Sequence, residues 1–327
     1  MASIHAIRFH KTGGPDVLQW DEIPVAEPGP GQARVRHAAV GLNFIDVYHR
    51  SGLYPVPALP SGIGMEGAGV VEAIGSGVTD IKVGDRVAYA SGPVGSYAQS
   101  RVIAADRLVA LPKEIDERTG AAMMLQGLTV WYLLHRTYAL KKGDTILVHA
   151  AAGGIGLIMC QWAKALGATI IGTVSSEEKA KLAKQNGCDH TIIYTKDDFV
   201  AKVKEITGGA GVPVVYDSIG KDTWPRSLDC LRPLGLMVSF GNASGPVPPV
   251  DLGILSAKGS LFVTRPTLVT YTAKRADLVA GATALFDMVR AGKVKIQVNQ
   301  TYALKDAAAA HRDLEARKTT GSTVLLP

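Results

Sequence analysis

Two stretches carry residues whose types and spacing suit chemistry. The first is HAAAGGIG, His149 to Gly156, in which Ala151, Gly153 and Gly156 make an AxGxxG fingerprint. Placed after a strand and opening a helix, Gly153 would let the backbone approach a pyrophosphate. Gly156 would let the helix pack closely on the strand, and the free N–H groups of the first helical turn would bind phosphate oxygens. Ala151 stands where the fingerprint has its first glycine, so the turn there must avoid a positive φ. The spacing alone is weak, because tight strand–helix corners also select glycine. Four further βα units behind it favour a dinucleotide site over a packing role. The second stretch is the tip of the following strand, TIIGTV, which ends in Ser175 and Ser176 with Lys179 one helical turn on. An NAD site wants an Asp or Glu there to accept from the ribose 2′-OH. Hydroxyls and an ammonium suit a 2′-phosphate instead, which a carboxylate would repel, so this tip favours NADPH over NADH. Glu177 and Glu178 follow at the helix start, where their usual role is to complement the dipole.

These residues need elements to hold them. From about Gln126 the chain alternates apolar runs with helical periods: TILVHA, a helix from about Gly154 to Leu166, TIIGTV, a helix from about Glu177 to Asn186, HTIIY, a helix over DDFVAKVKEIT, PVVYDS, a helix over DTWPRSLDCL, then LMVSFG. The runs are apolar throughout, as strands buried on both faces are. The alternation predicts an α/β doubly wound parallel sheet. The first third reads differently. SIHAIRF, ARVRHAAVGLN, MEGAGVVEAIG, RVAYAS and SYAQSRVIAA are short alternating runs bounded by Gly, Pro and Asp turns, which suits a twisted antiparallel sheet or partial barrel. A tail from about Tyr271 is too short to stand alone and is expected to return to the N-terminal part.

Composition narrows the function classes. The chain has 327 residues, 47% hydrophobic and 20% charged, with a net charge of +6 spread without runs. That length suits about two domains, and the scattered charge does not signal nucleic-acid binding. The window 145–163 carries no formal charge and reaches membrane-spanning length. Its His149, glycines and Gln161 split it into a strand and a helix, so no membrane role is expected. The first ten residues have no apolar signal-peptide core. The cysteines, Cys160, Cys188 and Cys230, are odd in number and unpaired by spacing, and the eight histidines form no ligand motif. Both facts favour a reducing cytoplasm and argue against a structural zinc site.

GDTILVHAAAGGIGLIMCQWAK, together with GLNFIDVYHRSGLYP, PSGIGMEGAGVV, GLTVWYLL, YDSIG, MVSFGNASG and VTRP, resembles the quinone oxidoreductase/zeta-crystallin group. That group is the zinc-free branch of the medium-chain dehydrogenase/reductase superfamily. The resemblance implies a discontinuous GroES-like β-rich catalytic domain over 1–125 and 268–327. It implies a Rossmann domain over 126–267, a cleft between the two, and a homodimer. Zinc-dependent relatives carry a Cys near the position of Asn43 and Gly-His-Glu where this chain reads Gly64-Met65-Glu66. By similarity the cofactor contacts include Asn43, Asp46, Thr129, Gly153, Gly154 and Ile155, with Ser175, Lys179 and Tyr194 at the 2′-phosphate end. Phe240, Gly241, Asn242, Ala243, Val263, Arg265 and Arg317 complete the set.

Without a Lewis acid, alcohol oxidation loses its usual stabilisation of an alkoxide. A quinone already stabilises the charge that arrives with a hydride, so the protein must mainly orient it and exclude water. Asn43, Tyr48 and Tyr54 are the candidate catalytic residues. A phenol can hydrogen-bond to a quinone oxygen or relay a proton, and its ring can stack on a flat acceptor. The same three residues and Gln126 are the candidate substrate contacts, and Asp46 reads as an orienting acceptor rather than a base. Tyr48 reads equally well as a core residue and Tyr54 as a loop anchor. The expected activity is NADPH-dependent reduction of a small-molecule quinone. Reduction of an activated C=C bond, as in 2-alkenal or enoyl reductases, fits the same residues. An RNA-binding or crystallin-like role without catalysis is the reading outside enzymes.

Overall fold

The computed structural model describes residues 3–327. The chain divides into two compact units: Met1–Leu128 with Thr272–Arg290 and Ile296–Pro327, and Thr129–Tyr271 with Ala291–Lys295. These bounds lie within a few residues of the breaks expected at 126 and 268, while part of the tail stands with the second unit. The observed break falls inside the helix Glu117–Tyr132. Residues 291–295 of the tail group with the second unit. Ala121–Met124, Leu128 and Val130–Tyr132 are all buried along that helix, so no change of composition marks the crossing.

The second unit holds a six-stranded sheet. Its order is His190–Ile193, Thr169–Val174, Thr145–Val148, Val212–Asp217, Leu231–Ser239 and Phe262–Thr264, and every pairing is parallel. Numbered along the chain this is 3-2-1-4-5-6, the doubly wound Rossmann order. Val212–Asp217 is buried at every residue, the pattern of a strand covered on both faces. Ile171, Val203, Val215, Trp224, Leu228 and Met237 build one core on this sheet. The apolar window 145–163 is the strand Thr145–Val148 followed by a turn and the helix Gly154–Ala165. Among the described residues no helix is long and apolar enough to cross a membrane. One expected helix, DTWPRSLDCL, is a single α turn over Trp224–Ser227 and a 3-10 turn over Leu228–Cys230. It stops because Leu231 already opens the next strand, which begins five residues earlier than its apolar run suggested.

The first unit is mostly antiparallel. Gln32–Leu42 is its central strand, pairing with Glu66–Ile74, Ser100–Ala104 and, from the tail, Ser322–Leu326. Val298–Ala303 lies parallel to Ser322–Leu326 at the sheet's edge. Leu18–Pro24, Ser3–Phe9 and Ser61–Gly62 form a small second sheet. Ile7, Phe9, Val40, Leu42 and Ile63 meet Leu304, Ala307, Ala310 and Leu325 in one core. The tail therefore completes this unit's packing as well as its sheet.

Candidate cofactor and substrate site

In the second unit the fingerprint leaves the first strand at Val148 and enters a helix at Gly154. Gly153 is the N-cap, with no side-chain cap bond and no acidic residue in the first turn, so the helix start keeps its positive end for an anion. Ala151 avoids positive φ. The left-handed position falls on its neighbour Ala150, at φ 54°, which costs a non-glycine residue about 1 kcal/mol. Room for the Ala151 methyl comes from the next strand: a Cβ on Gly172 would lie 2.6 Å from it. Gly156 is needed for close approach, since a Cβ there would stand 2.3 Å from the Ala150 carbonyl oxygen. Gly153 is not, because its φ of −77° is ordinary and a Cβ would meet only the same oxygen, at 3.2 Å. The uncapped helix start at Gly153 suits the backbone to a phosphate.

The neighbouring strand tips place Tyr194 and Thr195 beside Val174 and Ser175, and Lys179 lies in the first turn of the helix Glu177–Gln185. The Tyr194 N–H donates to the Val174 carbonyl at 3.1 Å, and the Thr195 hydroxyl donates to the Ser175 carbonyl at 3.1 Å. Ser176 is used as the N-cap of the helix Glu177–Gln185, accepting from the Lys179 N–H. Glu177 pairs with Lys196 at 2.9 Å on the exposed face. On the other side of the sheet, the Phe240 N–H donates to the Asp217 carbonyl and the Ala243 N–H to that of Ser218. Arg265 donates to the Ser239 carbonyl at 2.8 Å. With its amide oxygen turned to the guanidinium, Asn242 accepts from Arg265 at 3.1 Å. Phe240–Ala243 and Arg265 thus form one crest. Thr129 is buried, and its side chain bonds the Tyr132 hydroxyl, whose ring stacks on Tyr271 at 4.4 Å. Val263 is 40% exposed on the terminal strand.

In the first unit Asn43 is the N-cap of the helix Phe44–Ser51, and its N–H donates to Asp46 at 2.9 Å. Its amide is held at both ends: Nδ2 donates to Glu66 at 2.7 Å, and Oδ1 accepts from Gln126 at 3.2 Å. Gln126 in turn accepts from Ser322. Burial pushes the Glu66 carboxyl up to about 8, against the opposing donors Asn43 and Leu125. Burial likewise raises Asp46 to about 7. Asp46 is fully buried, and its Oδ1 has no hydrogen-bond partner. Its Oδ2 also accepts from Tyr97. Arg50 donates to Nδ1 of His311, which leaves the His311 proton on Nε2, 3.3 Å from the Tyr97 hydroxyl. Tyr48 is buried and Tyr54 half-buried, with ring centroids 5.1 Å apart in an edge-on pair. Arg317 is exposed and ends the helix Ala307–Glu315 at φ 58°. Its N–H bonds the Leu314 carbonyl and that of Lys318 the Asp313 carbonyl, a helix stop that normally takes glycine. Sequence reasoning missed Tyr97, His311 and Arg50, which lie far apart in the chain and fit no motif.

Two family models match the chain: the alcohol dehydrogenase GroES-like domain over residues 29–113 and zinc-binding dehydrogenase over 154–287. A quinone oxidoreductase of Pseudomonas aeruginosa is 60% identical, covering 98% of this chain and 99% of that protein. The chain belongs to the quinone oxidoreductase family. A family structure, Escherichia coli quinone oxidoreductase complexed with NADPH, matches with a TM-score of 0.98 and 53% identity, covering 100% of each chain. A 2-haloacrylate reductase of Burkholderia is 50% identical over 99% of both chains. The zinc in the second model's description does not fit the residues here. Asn43 and Met65 offer neither thiolate nor imidazole, and Glu66 is taken up by Asn43 and Leu125. Among the described residues no three His, Cys, Asp or Glu gather to hold a metal ion.

Proposed function

We propose that this family member reduces quinones with NADPH and without a metal. NADPH supplies a hydride, and one further proton completes the hydroquinone. The observation that carries the reading is the phosphate loop, whose helix start at Gly153 has no side-chain cap and no acid in its first turn, beside a strand that ends in the hydroxyls of Ser175 and Ser176 with Lys179 one helical turn on. The first-turn N–H groups after Gly153, with Gly154 and Ile155, hold the pyrophosphate. Lys179 and Arg317 neutralise the 2′-phosphate end, and the hydroxyls of Ser175 and Tyr194 hydrogen-bond to it. Thr129, Phe240–Ala243, Val263 and Arg265 line the remainder. Asn43, with its amide fixed by Glu66 and Gln126, orients the reacting groups. Tyr48 and Tyr54 offer a flat aromatic edge and two hydroxyls to the acceptor, and Asp46 acts as an orienting acceptor within the fold.

The identity to a 2-haloacrylate reductase favours a second reading, hydride addition to an activated C=C bond. A homodimer is supported by the terminal strand Phe262–Thr264, on which Phe262 is 60% exposed. The three buried free thiols are compatible with the cytoplasm. Steady-state assay of the purified protein with NADPH against benzoquinones, naphthoquinones, 2-alkenals and 2-haloacrylate separates the readings. Turnover of quinones is expected. Turnover of alkenals or haloacrylate with none of quinones reverses the assignment.

A further inference from the structure

His149 opens the stretch that holds the phosphate loop, and its side chain plays no part in the fingerprint. It is 2% exposed, and its ring lies edge-on to Phe199 with centroids 5.2 Å apart. Nδ1 is 2.8 Å from the Thr173 hydroxyl and Nε2 is 2.9 Å from the Ser227 hydroxyl. Ser227 donates its one proton to Asp217 Oδ2 at 3.2 Å, so towards His149 it can only accept. Nε2 therefore carries the ring proton, and Nδ1 accepts from Thr173. The result is a directional chain, Thr173 to His149 to Ser227 to Asp217, ending on a carboxylate that is fully buried. That carboxylate also accepts from the Thr223 hydroxyl at 2.7 Å and from the N–H groups of Ile219 and Gly220.

Each end of the chain sits beside a different part of the cofactor site. Residue 149 leads directly into the loop at Ala150–Gly156. Thr173 lies two residues before Ser175, and its carbonyl accepts from the Ala151 N–H at 3.1 Å. Asp217 sets the turn Ser218–Gly220, against which Phe240–Ala243 is hydrogen-bonded. The first, second and fourth strands of the sheet are thus tied at their carboxyl ends through one imidazole. Backbone bonds run beside this tie, from the His149 N–H to the Tyr216 carbonyl at 3.0 Å and from the Ala151 N–H to the Thr173 carbonyl, and the side-chain chain adds the link from Thr173 across to the Asp217 carboxylate.

We propose that His149 is a positioning residue for the cofactor: its neutral, Nε2-protonated ring pre-organises the pyrophosphate loop, the 2′-phosphate tip and the crest after the fourth strand as one unit. The proposal rests on the NADPH reading. Ordering three separate segments before the cofactor arrives reduces what binding must spend on ordering them. The imidazole touches neither substrate nor the reacting carbon, so its effect belongs in cofactor affinity rather than in turnover.

The test uses the full-length protein and three variants, His149→Phe, Thr173→Val and Ser227→Ala. Thr173→Val keeps the side-chain shape and removes only the hydrogen bond to Nδ1, so it serves should His149→Phe not fold. NADPH affinity is read by nucleotide fluorescence, and KM and kcat by steady-state assay. A rise of about tenfold in Kd and KM for NADPH is expected, the scale of one buried hydrogen bond left unmade. At saturating NADPH, kcat should stay within about twofold. In nitrogen-15 spectra the His149 ring should show its proton on Nε2. Variants that melt earlier yet bind NADPH as the unaltered protein does would overturn the proposal, and so would a ring proton on Nδ1. Failure of the unaltered protein to bind NADPH would instead remove the cofactor reading on which it stands.

Discussion

Gly153 and Gly156 lie three residues apart in one loop, yet the structure assigns them different reasons for being glycine, and two alanine variants separate them. At Gly156 a Cβ would sit 2.3 Å from the Ala150 carbonyl oxygen and 2.7 Å from two backbone atoms of Ala151. No flexible side chain can yield there, so the helix itself must withdraw. Overpacking of this kind costs about 1–3 kcal/mol, which lowers the melting temperature by roughly 2–12 °C for a unit of this size. At Gly153 the backbone is extended and the only close atom is 3.2 Å away. Gly→Ala at a compatible φ and ψ gains about 0.4–1 kcal/mol through the unfolded chain, and the tight contact offsets part of it. Gly153→Ala should therefore melt within a degree or two of the unaltered protein. Its methyl fills the space in front of the helix start, however. Losing two hydrogen bonds to a charged phosphate, at about 1.5–3 kcal/mol each, weakens NADPH binding by at least about a hundredfold. Thermal melts and fluorescence titration with NADPH measure both quantities. If Gly153→Ala binds NADPH normally, or if Gly156→Ala melts like the unaltered protein, the reasoning about this loop is wrong.

Lys179→Ala should raise KM for NADPH about tenfold, the scale of one charge-assisted bond, while leaving KM for NADH nearly unchanged; equal changes for both cofactors would remove the 2′-phosphate assignment. Burial raises Glu66 to about 8 and Asp46 to about 7, so the native protein retains protons that the unfolded chain releases near pH 4. The stability these groups contribute is full below about pH 4, falls as pH rises above it, and is gone once pH has passed the native values of about 7 and 8. Melting temperatures from pH 5 to 9 should show the unaltered protein losing ground to Glu66→Gln as pH rises, and a constant difference would contradict the shift. Phe262→Lys on the terminal strand should yield a monomer by sedimentation if that strand joins two copies, and an unchanged dimer would place the interface elsewhere.

Much of the second unit was legible because its signals are local or periodic. Five apolar runs separated by helical periods imply a parallel sheet, and AxGxxG, weak by itself, gains its meaning from standing between the first strand and helix of that series. The helix at Trp224 is shorter than its sequence suggests because residues 231–235, Leu-Arg-Pro-Leu-Gly, do not alternate or run apolar and so do not announce that they open a strand. The break between the units carries no sequence signal because one helix, Glu117–Tyr132, runs through it with the same apolar character on both sides.

The sequence by itself determined the doubly wound order of elements, the place of the phosphate loop and the lack of a carboxylate at the second strand's tip, since each depends on neighbours within a few residues. Only the tertiary structure decided how Ala151 is accommodated, through Gly172 on the adjacent strand. It also decided that Asn43 is clamped between Glu66 and Gln126 and that His149 links Thr173 to Asp217 through Ser227. These partners are separated by 10 to 83 positions. Side-chain hydrogen bonds over such distances follow no period, and the burial that shifts a carboxyl's pKa is a property of everything packed around it.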